Sequence, residues 1–245
     1  MTFELWQWAL ALVGALAIGV AKTGIGGLGM IPVVVFANIL PAKLSAGFVL
    51  PMLIMADVVA VLAYRRHAQW SHLWRLFPWT ALGILLGVFA MGRITNQQAG
   101  LLIGVIVLTL MSVHMVRKSQ VKSEEPEHSV WFAPTIGILA GFTTLVANAA
   151  GPLMVIYLLA MRLPKMEYMG TGAYYFLLIN LFKVPFMIHL GLITPESFTG
   201  NLMLAPMVVA GALLGKIVLK HISQKLFENV ALVLAALAGV KLLFF

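Results

Sequence analysis

Long apolar runs separated by short polar turns make up most of this chain. Crossing a bilayer takes about 20 apolar residues, with a range of about 17–25, and most of the runs are close to that length. They fall at residues 3–21, 25–40, 45–64, 76–91, 99–116, 130–147, 151–161, 168–190, 202–219 and 227–244. The pattern predicts an all-α polytopic membrane protein.

Composition supports a lipid environment. Hydrophobic residues make up 62% of the chain and charged residues 10%, whereas a soluble domain carries about 25% charged residues. The net charge of +8 is spread over many loops, which points to membrane topology and not to nucleic acid. Cysteine is absent, and no His, Asp and Glu spacing suggests a metal, so neither a metal site nor a cofactor is predicted.

The second apolar segment of each half, at residues 25–40 and 151–161, is short and begins beside small residues. Such segments can stop near the midplane and turn back as a pair of half-helices. Irregular backbone at that depth is tolerated only where protein or a water-filled cavity covers it. Short or broken helices at the midplane are therefore predicted.

The two halves of the chain repeat one pattern. A proline, a glycine and a polar residue recur at one spacing, as Pro41, Gly47 and Asp57 and again as Pro164, Gly170 and Asn180. Another set recurs as Pro78, Gly83 and Gly87 and again as Pro206, Gly211 and Gly215. Each half has an odd number of predicted crossings, so its copy must insert upside down. The prediction is two inverted-topology repeats, residues 1–116 and 130–245, joined by a linker at 117–129 and forming one membrane domain.

Basic residues indicate the orientation. If successive loops are assigned to alternate sides of the membrane from the N-terminus onward, most of the 16 Lys and Arg residues fall on the side that holds the linker. The other side collects only Lys43, Arg93 and Lys241, and Lys183 falls inside a segment. Positive charge marks the cytoplasmic side. The linker is therefore predicted to be cytoplasmic and both termini periplasmic.

A glycine-rich turn follows the first segment, and its candidate ligand-binding residues are Lys22, Thr23, Gly24, Gly26, Gly27 and Gly29. Each glycine inside a helix costs about 1 kcal/mol relative to alanine, so helix stability does not account for them. Successive N–H groups in such a turn form an anion-binding nest, and the helix that follows offers its positive end. The alternative is that these glycines only let helices pack closely.

The second copy of this turn keeps small and polar residues but loses the glycine run. Its candidate ligands are Thr143, Thr144 and Asn148. Inversion would bring this segment opposite the first copy, with Lys22 and backbone on one wall of a pocket and these side chains on the other. This prediction rests on register alone.

Asp57 lies well inside the third segment, where a charge costs at least about 2.5–3.5 kcal/mol. It is the candidate for proton coupling; the alternative is a structural ion pair or hydrogen bond. The equivalent residue in the second copy, Asn180, has a side chain of the same shape but no charge. Lys183 lies on the same helical face as Asn180 and is a further candidate ligand, although it could also snorkel to the interface.

The pairs Gly83-x-x-x-Gly87 and Gly211-x-x-x-Gly215 predict close helix packing. They are also the only motifs that would support a homodimer.

The glycine-rich run from Gly24 to Gly29, Pro32, and the Pro-x-Lys-Leu-Ser-Ala loop from Pro41 to Ala46 resemble the sulfite exporter TauE/SafE family. The basic turn after Tyr64 and the downstream Gly83 and Gly87 agree with it, over essentially the whole chain. The resemblance implies transport of sulfite, sulfonates, thiosulfate or other small organic anions across a bacterial inner membrane. Lys22 and the lost glycine run of the second copy depart from the family pattern.

Together these features predict a secondary transporter for a small anion, with Asp57 as the candidate for proton coupling, and not an enzyme. No Gly-x-Ser-x-Gly motif is present and no Ser–His pairing can be inferred. The alternatives are an anion channel and a non-transporting membrane scaffold or assembly factor. The expected partners are the anion and the lipid bilayer, with no nucleic acid.

Overall fold

The structure is a computed structural model. It describes residues 4–24, 29–40, 42–91, a few isolated positions between 93 and 109, and 130–244. The predicted fifth segment (99–116) lies largely outside the described residues, and the linker (117–129) lies wholly outside them. Within the described residues the chain is helical, which confirms the predicted all-α class. The helices are α1 (Leu5–Thr23), α2 (Met30–Ile39), α3 (Ala42–Tyr64), α4 (Trp70–Met91), α5 (Phe132–Ala147), α6 (Gly151–Ala160), α7 (Lys165–His189), α8 (Pro195–His221) and α9 (Gln224–Phe244).

Membrane-length helices dominate the described residues. Five of them are long and apolar enough to cross a bilayer: Leu5–Thr23, Leu44–His67, Trp70–Met91, Lys165–His189 and Pro195–His221. Their length and apolar composition are those of helices that span a membrane.

Helices α2 and α6 contain 10 residues each. At 1.5 Å per residue each rises about 15 Å, half the thickness of a bilayer core, so neither can cross alone. The predicted short segments are therefore helices of half length. In α6 the side chains from Pro152 to Leu158 are buried in protein, which removes this helix from contact with lipid.

Helices α4 and α8 begin earlier than their apolar runs predicted. Residues 76 and 202 were the expected starts, whereas α4 begins at Trp70 and α8 at Pro195. The first turn of α8 is closed by Thr194, whose hydroxyl accepts a hydrogen bond from the Ser197 N–H. Polar and aromatic residues suit the membrane surface, so the helices continue past the apolar runs that marked them.

Two pairs of helices lie in close parallel contact through glycines. In α1 and α8, Gly19 faces the backbone at Val208, and Gly211 faces the backbone at Leu16; an added Cβ would lie 2.1 Å from an oxygen in both cases. Such distances leave no room for a side chain. The predicted packing role of Gly211 is confirmed.

Helices α4 and α5 pack in the same manner. A Cβ on Gly83 would lie 2.1 Å from the backbone oxygen of Ile138, and one on Gly141 would lie 2.0 Å from that of Thr80. Gly87 faces Leu145 of α5, and Gly215 faces Thr23 of α1. Both Gly-x-x-x-Gly faces are thus occupied inside the protomer, so they give no support to a homodimer.

The long helices α3 and α7 cross the centre of the molecule antiparallel to each other. Gly47, near the start of α3, faces Leu192 beyond the end of α7. Gly170, near the start of α7, faces Tyr64 and His67 at the end of α3. The glycine of each Pro-x5-Gly pattern therefore lies where the start of one of these helices packs against the end of the other.

Candidate functional site

Asp57 lies in α3, about two turns before the end of the helix, and is completely buried. Its Oδ1 lies 2.8 Å from Nζ of Lys22 at the end of α1. Its Oδ2 accepts a hydrogen bond of 2.6 Å from Nδ2 of Asn180 in α7. The intramembrane carboxylate thus joins three helices, and its charge is met by one ammonium group.

Lys22 is held from two sides. Besides the Asp57 carboxylate, its Nζ lies 4.0 Å from the ring centroid of Phe176, within the range of a cation–π contact. The Lys22 side chain keeps 13% of its surface exposed, whereas Asp57 keeps none. Within this ion pair, Lys22 is therefore the member that an incoming anion can reach.

Lys183, also in α7, is completely buried and does not reach the interface. Its Nζ donates to the backbone O and the Oγ1 of Thr144, at 3.1 and 3.0 Å, and to Oδ1 of Asn148 at 2.7 Å. Asn148 in turn donates through Nδ2 to the backbone O of Ala46, at 3.0 Å. These bonds fasten the turn between α5 and α6 to α7 and α3.

That turn has an unusual backbone. Asn148 has φ 51° and ψ 31°, a left-handed conformation that ends α5. Asparagine adopts this region more readily than most residues. It lets the chain reverse within a few residues and start α6 at Gly151.

A cavity lies beside the ion pair, between residues of the two halves. Lys22, Gly29 and Pro32 line it from the first half. Thr144, Asn148, Gly151, Pro152, Phe176 and Asn180 are among the residues that line it from the second half. Much of the remaining lining is apolar, as is usual where a few polar groups set the orientation of a small ligand.

The first turns of both short helices border this cavity. Gly29 precedes α2 and Gly151 begins α6, and a Cβ added to either would meet no atom of the described residues within 4 Å. The backbone is therefore open to the cavity at both places. The N-terminus of a helix carries unpaired N–H groups and a partial positive charge, so both helices favour a negative group in this space.

The structure brings together some of the predicted site residues. Lys22, Gly29, Thr144, Asn148 and Asn180 line the cavity. Asp57 and Lys183 lie directly behind its wall, bonded to Lys22 and Asn180 and to Thr144 and Asn148 respectively. Gly26 and Gly27 lie outside the described residues.

Other predicted residues have structural contacts. The hydroxyl of Thr23 donates to the backbone O of Ala212 at 2.6 Å, across the α1–α8 contact. The hydroxyl of Thr143 donates to the O of Ala140 at 3.2 Å, within its own helix. Gly24 faces Gly215 and the last turn of α1. None of these three is among the residues that line the cavity.

Sequence reasoning missed two aromatic contacts. The Phe176 ring lies under Lys22, and the Tyr64 hydroxyl donates to the backbone O of Thr23 at 2.5 Å. Tyr64 thereby binds a carbonyl that the end of α1 leaves without a helical partner. No motif singles out either aromatic residue. Pro32 and Pro152, by contrast, lie nine residues after Thr23 and Thr143 respectively, and this repeated spacing could have predicted them as lining residues.

The chain matches a protein family described as the sulfite exporter TauE/SafE family, and the match covers residues 10–242. No curated protein and no solved structure matches the chain. Members of this family are membrane transporters and not enzymes. The match confirms the resemblance inferred from the glycine-rich turn: the chain belongs to the TauE/SafE family of sulfite exporters.

Proposed function

We propose that this protein is a secondary transporter that moves a small anion, such as sulfite or an organosulfonate, through the cavity beside Lys22. The observation that carries the proposal is the convergence of three positive groups on one cavity: the open first turns of α2 and α6 and the Lys22 ammonium. An oxyanion offers several acceptor oxygens, which such N–H groups can bind from more than one direction.

The arrangement of the helices supports two inverted repeats at residues 1–116 and 130–245. In the proposed repeat, α1 corresponds to α5, α4 to α8 and α3 to α7. The contact of α1 with α8 therefore has its counterpart in the contact of α4 with α5, and the corresponding helices α3 and α7 meet each other antiparallel. Residues at the interface between such repeats form the substrate site of many secondary transporters. Rocking of one half against the other would then expose the cavity to each side in turn.

Asp57 is the proposed coupling residue for doubly charged substrates. In the empty site its carboxylate is bound by Lys22 and Asn180. A second negative charge beside Lys22 would raise the energy of the buried carboxylate, and uptake of a proton by Asp57 would relieve it. Coupling predicts sulfite uptake driven by an imposed proton gradient and lost in Asp57→Asn.

The proposed location is a bacterial inner membrane, with both termini periplasmic and residues 117–129 cytoplasmic. The chain contains no cysteine, so single cysteines can be added in the linker and near each end and labelled from one side of the membrane. Labelling of the linker and of a terminus from the same side would contradict this orientation. A homodimer would have to use a surface other than the glycine faces, and no nucleic-acid partner is proposed.

The direct test is flux of radiolabelled sulfite into proteoliposomes that contain the purified full-length protein. A transporter gives a saturable flux that runs uphill when a proton gradient is imposed, whereas a channel gives only downhill flux. A scaffold gives no flux above empty liposomes. The site assignment is wrong if Lys22→Gln transports as well as the unchanged protein.

A further inference from the structure

Three oxygens surround the Nζ of Lys183, each within 3.1 Å, and an ammonium group can donate to all three at once. The backbone O of Thr144 can only accept. The amide of Asn148 is fixed in orientation, because its Nδ2 donates to Ala46 and its Oδ1 must therefore face the lysine.

Among the described residues, no carboxylate is hydrogen bonded to Lys183. All three of its bonds end on uncharged oxygens, whereas the Asp57 carboxylate is paired with Lys22 at 2.8 Å. With both lysines as ammonium groups and Asp57 as a carboxylate, the cluster of Lys22, Asp57 and Lys183 has one excess positive charge.

The excess charge can act on a ligand without touching it. Thr144 and Asn148 line the cavity, and Lys183 lies immediately behind them. Lys183 is completely buried, so little water screens its field, and charges interact more strongly there than at a surface. Lys183 also holds the turn that starts α6, which places the first turn of α6 at the cavity.

We propose that the empty site holds one uncompensated positive charge, on Lys183, and for that reason prefers anions with a single negative charge. The inference rests on the proposed transport function and adds the charge of the preferred substrate. Doubling the charge of an anion doubles its attraction to the site but quadruples the cost of removing it from water. One excess charge therefore favours a monoanion, and a second excess charge would shift the balance toward a dianion.

The test compares methanesulfonate with sulfate. The two are similar in size and shape, and their charges, one and two, are fixed at neutral pH. Their dissociation constants are measured with the purified full-length protein in detergent by calorimetric titration. The expected result is tighter binding of methanesulfonate by about tenfold. Tighter binding of sulfate by the unchanged protein would overturn the inference without any variant.

Two variants change the charge count in opposite directions. Asp57→Asn raises it by one, so the preference for methanesulfonate should fall by about tenfold or reverse. Lys183→Gln lowers it by one, so both anions should bind more weakly, and sulfate should lose more. Matched controls are Glu196→Gln and Lys216→Gln, which remove the same charges from exposed positions on α8 and should leave the ratio unchanged.

The outcomes separate this inference from the proposed function. If both anions bind and the ratio of their dissociation constants is the same in both variants as in the unchanged protein, the charge count does not set the preference and the inference fails. If the unchanged protein neither binds nor transports any small anion, the proposed function itself fails. Should Asp57→Asn not fold, Lys183→Gln and the unchanged protein still decide the question.

Discussion

The side chains of Asp57 and Asn180, which the sequence pattern predicts to be equivalent positions of two repeats, hydrogen bond to each other at 2.6 Å. Two equivalent residues can meet only close to the axis that relates their halves. The bond joins α3 to α7, which run antiparallel, as the proposed inverted repeats would require. The two proposed repeats differ in chemistry at this contact, since the Asp57 carboxylate carries a charge and the Asn180 amide does not. The Asp57 charge draws Lys22 to the edge of the cavity.

Replacement of Lys22 by glutamine should reduce sulfite flux in proteoliposomes by about tenfold or more, because a charge-assisted bond to the anion is lost. Lys216→Gln on the exposed face of α8 is the matched control. Equal flux in the two variants would remove Lys22 from the site.

Replacement of Asp57 by asparagine should destabilise the empty protein by up to about 3 kcal/mol, since it leaves Lys22 without its counterion. A bound anion can supply that missing negative charge. The melting temperature of Asp57→Asn in detergent should therefore be lower than that of the unchanged protein, and it should rise more on addition of methanesulfonate. An equal rise in both proteins would mean that the ligand does not approach Lys22.

Replacement of Gly211 by alanine should destabilise the protein by about 1–3 kcal/mol, because its Cβ would lie 2.1 Å from the backbone oxygen of Leu16 and must push α1 away from α8. Gly200→Ala, on the same helix, is the matched control, since its Cβ would meet only the Phe48 ring at 3.4 Å. Thermal unfolding in detergent measures both variants. Equal melting temperatures would contradict the close contact of α1 and α8.

Replacement of Gly151 by alanine should separate binding from stability. Within the described part of the chain, the added Cβ meets no atom within 4 Å. Alanine favours a helix by about 1 kcal/mol over glycine, so the melting temperature should stay unchanged or rise. The methyl group should nevertheless keep an anion away from the first turn of α6 and raise the KM for sulfite. An unchanged KM would show that the anion does not bind at this turn.

Much of the helical framework follows from local sequence. Apolar length predicts the spans, and Gly83 and Gly211 predict close packing because a missing side chain is useful only where backbones approach. The starts of α4 and α8 were predicted too late, since polar and aromatic first turns carry no apolar signal. The repeat also predicted that Asp57 and Asn180 are equivalent, but equivalence does not state that they touch.

The sequence by itself determined that this protein lies in a lipid bilayer, that it is helical, which family it belongs to and that α2 and α6 are short. These properties depend on composition and on patterns along one segment. Tertiary structure decided which polar groups meet. The Thr23 and Thr143 hydroxyls bond to helix carbonyls away from the cavity, whereas Lys183 bonds to the α5–α6 turn and Lys22 to Asp57. A long or rotatable side chain has several partners within reach, and only the packing of helices distant in sequence selects among them.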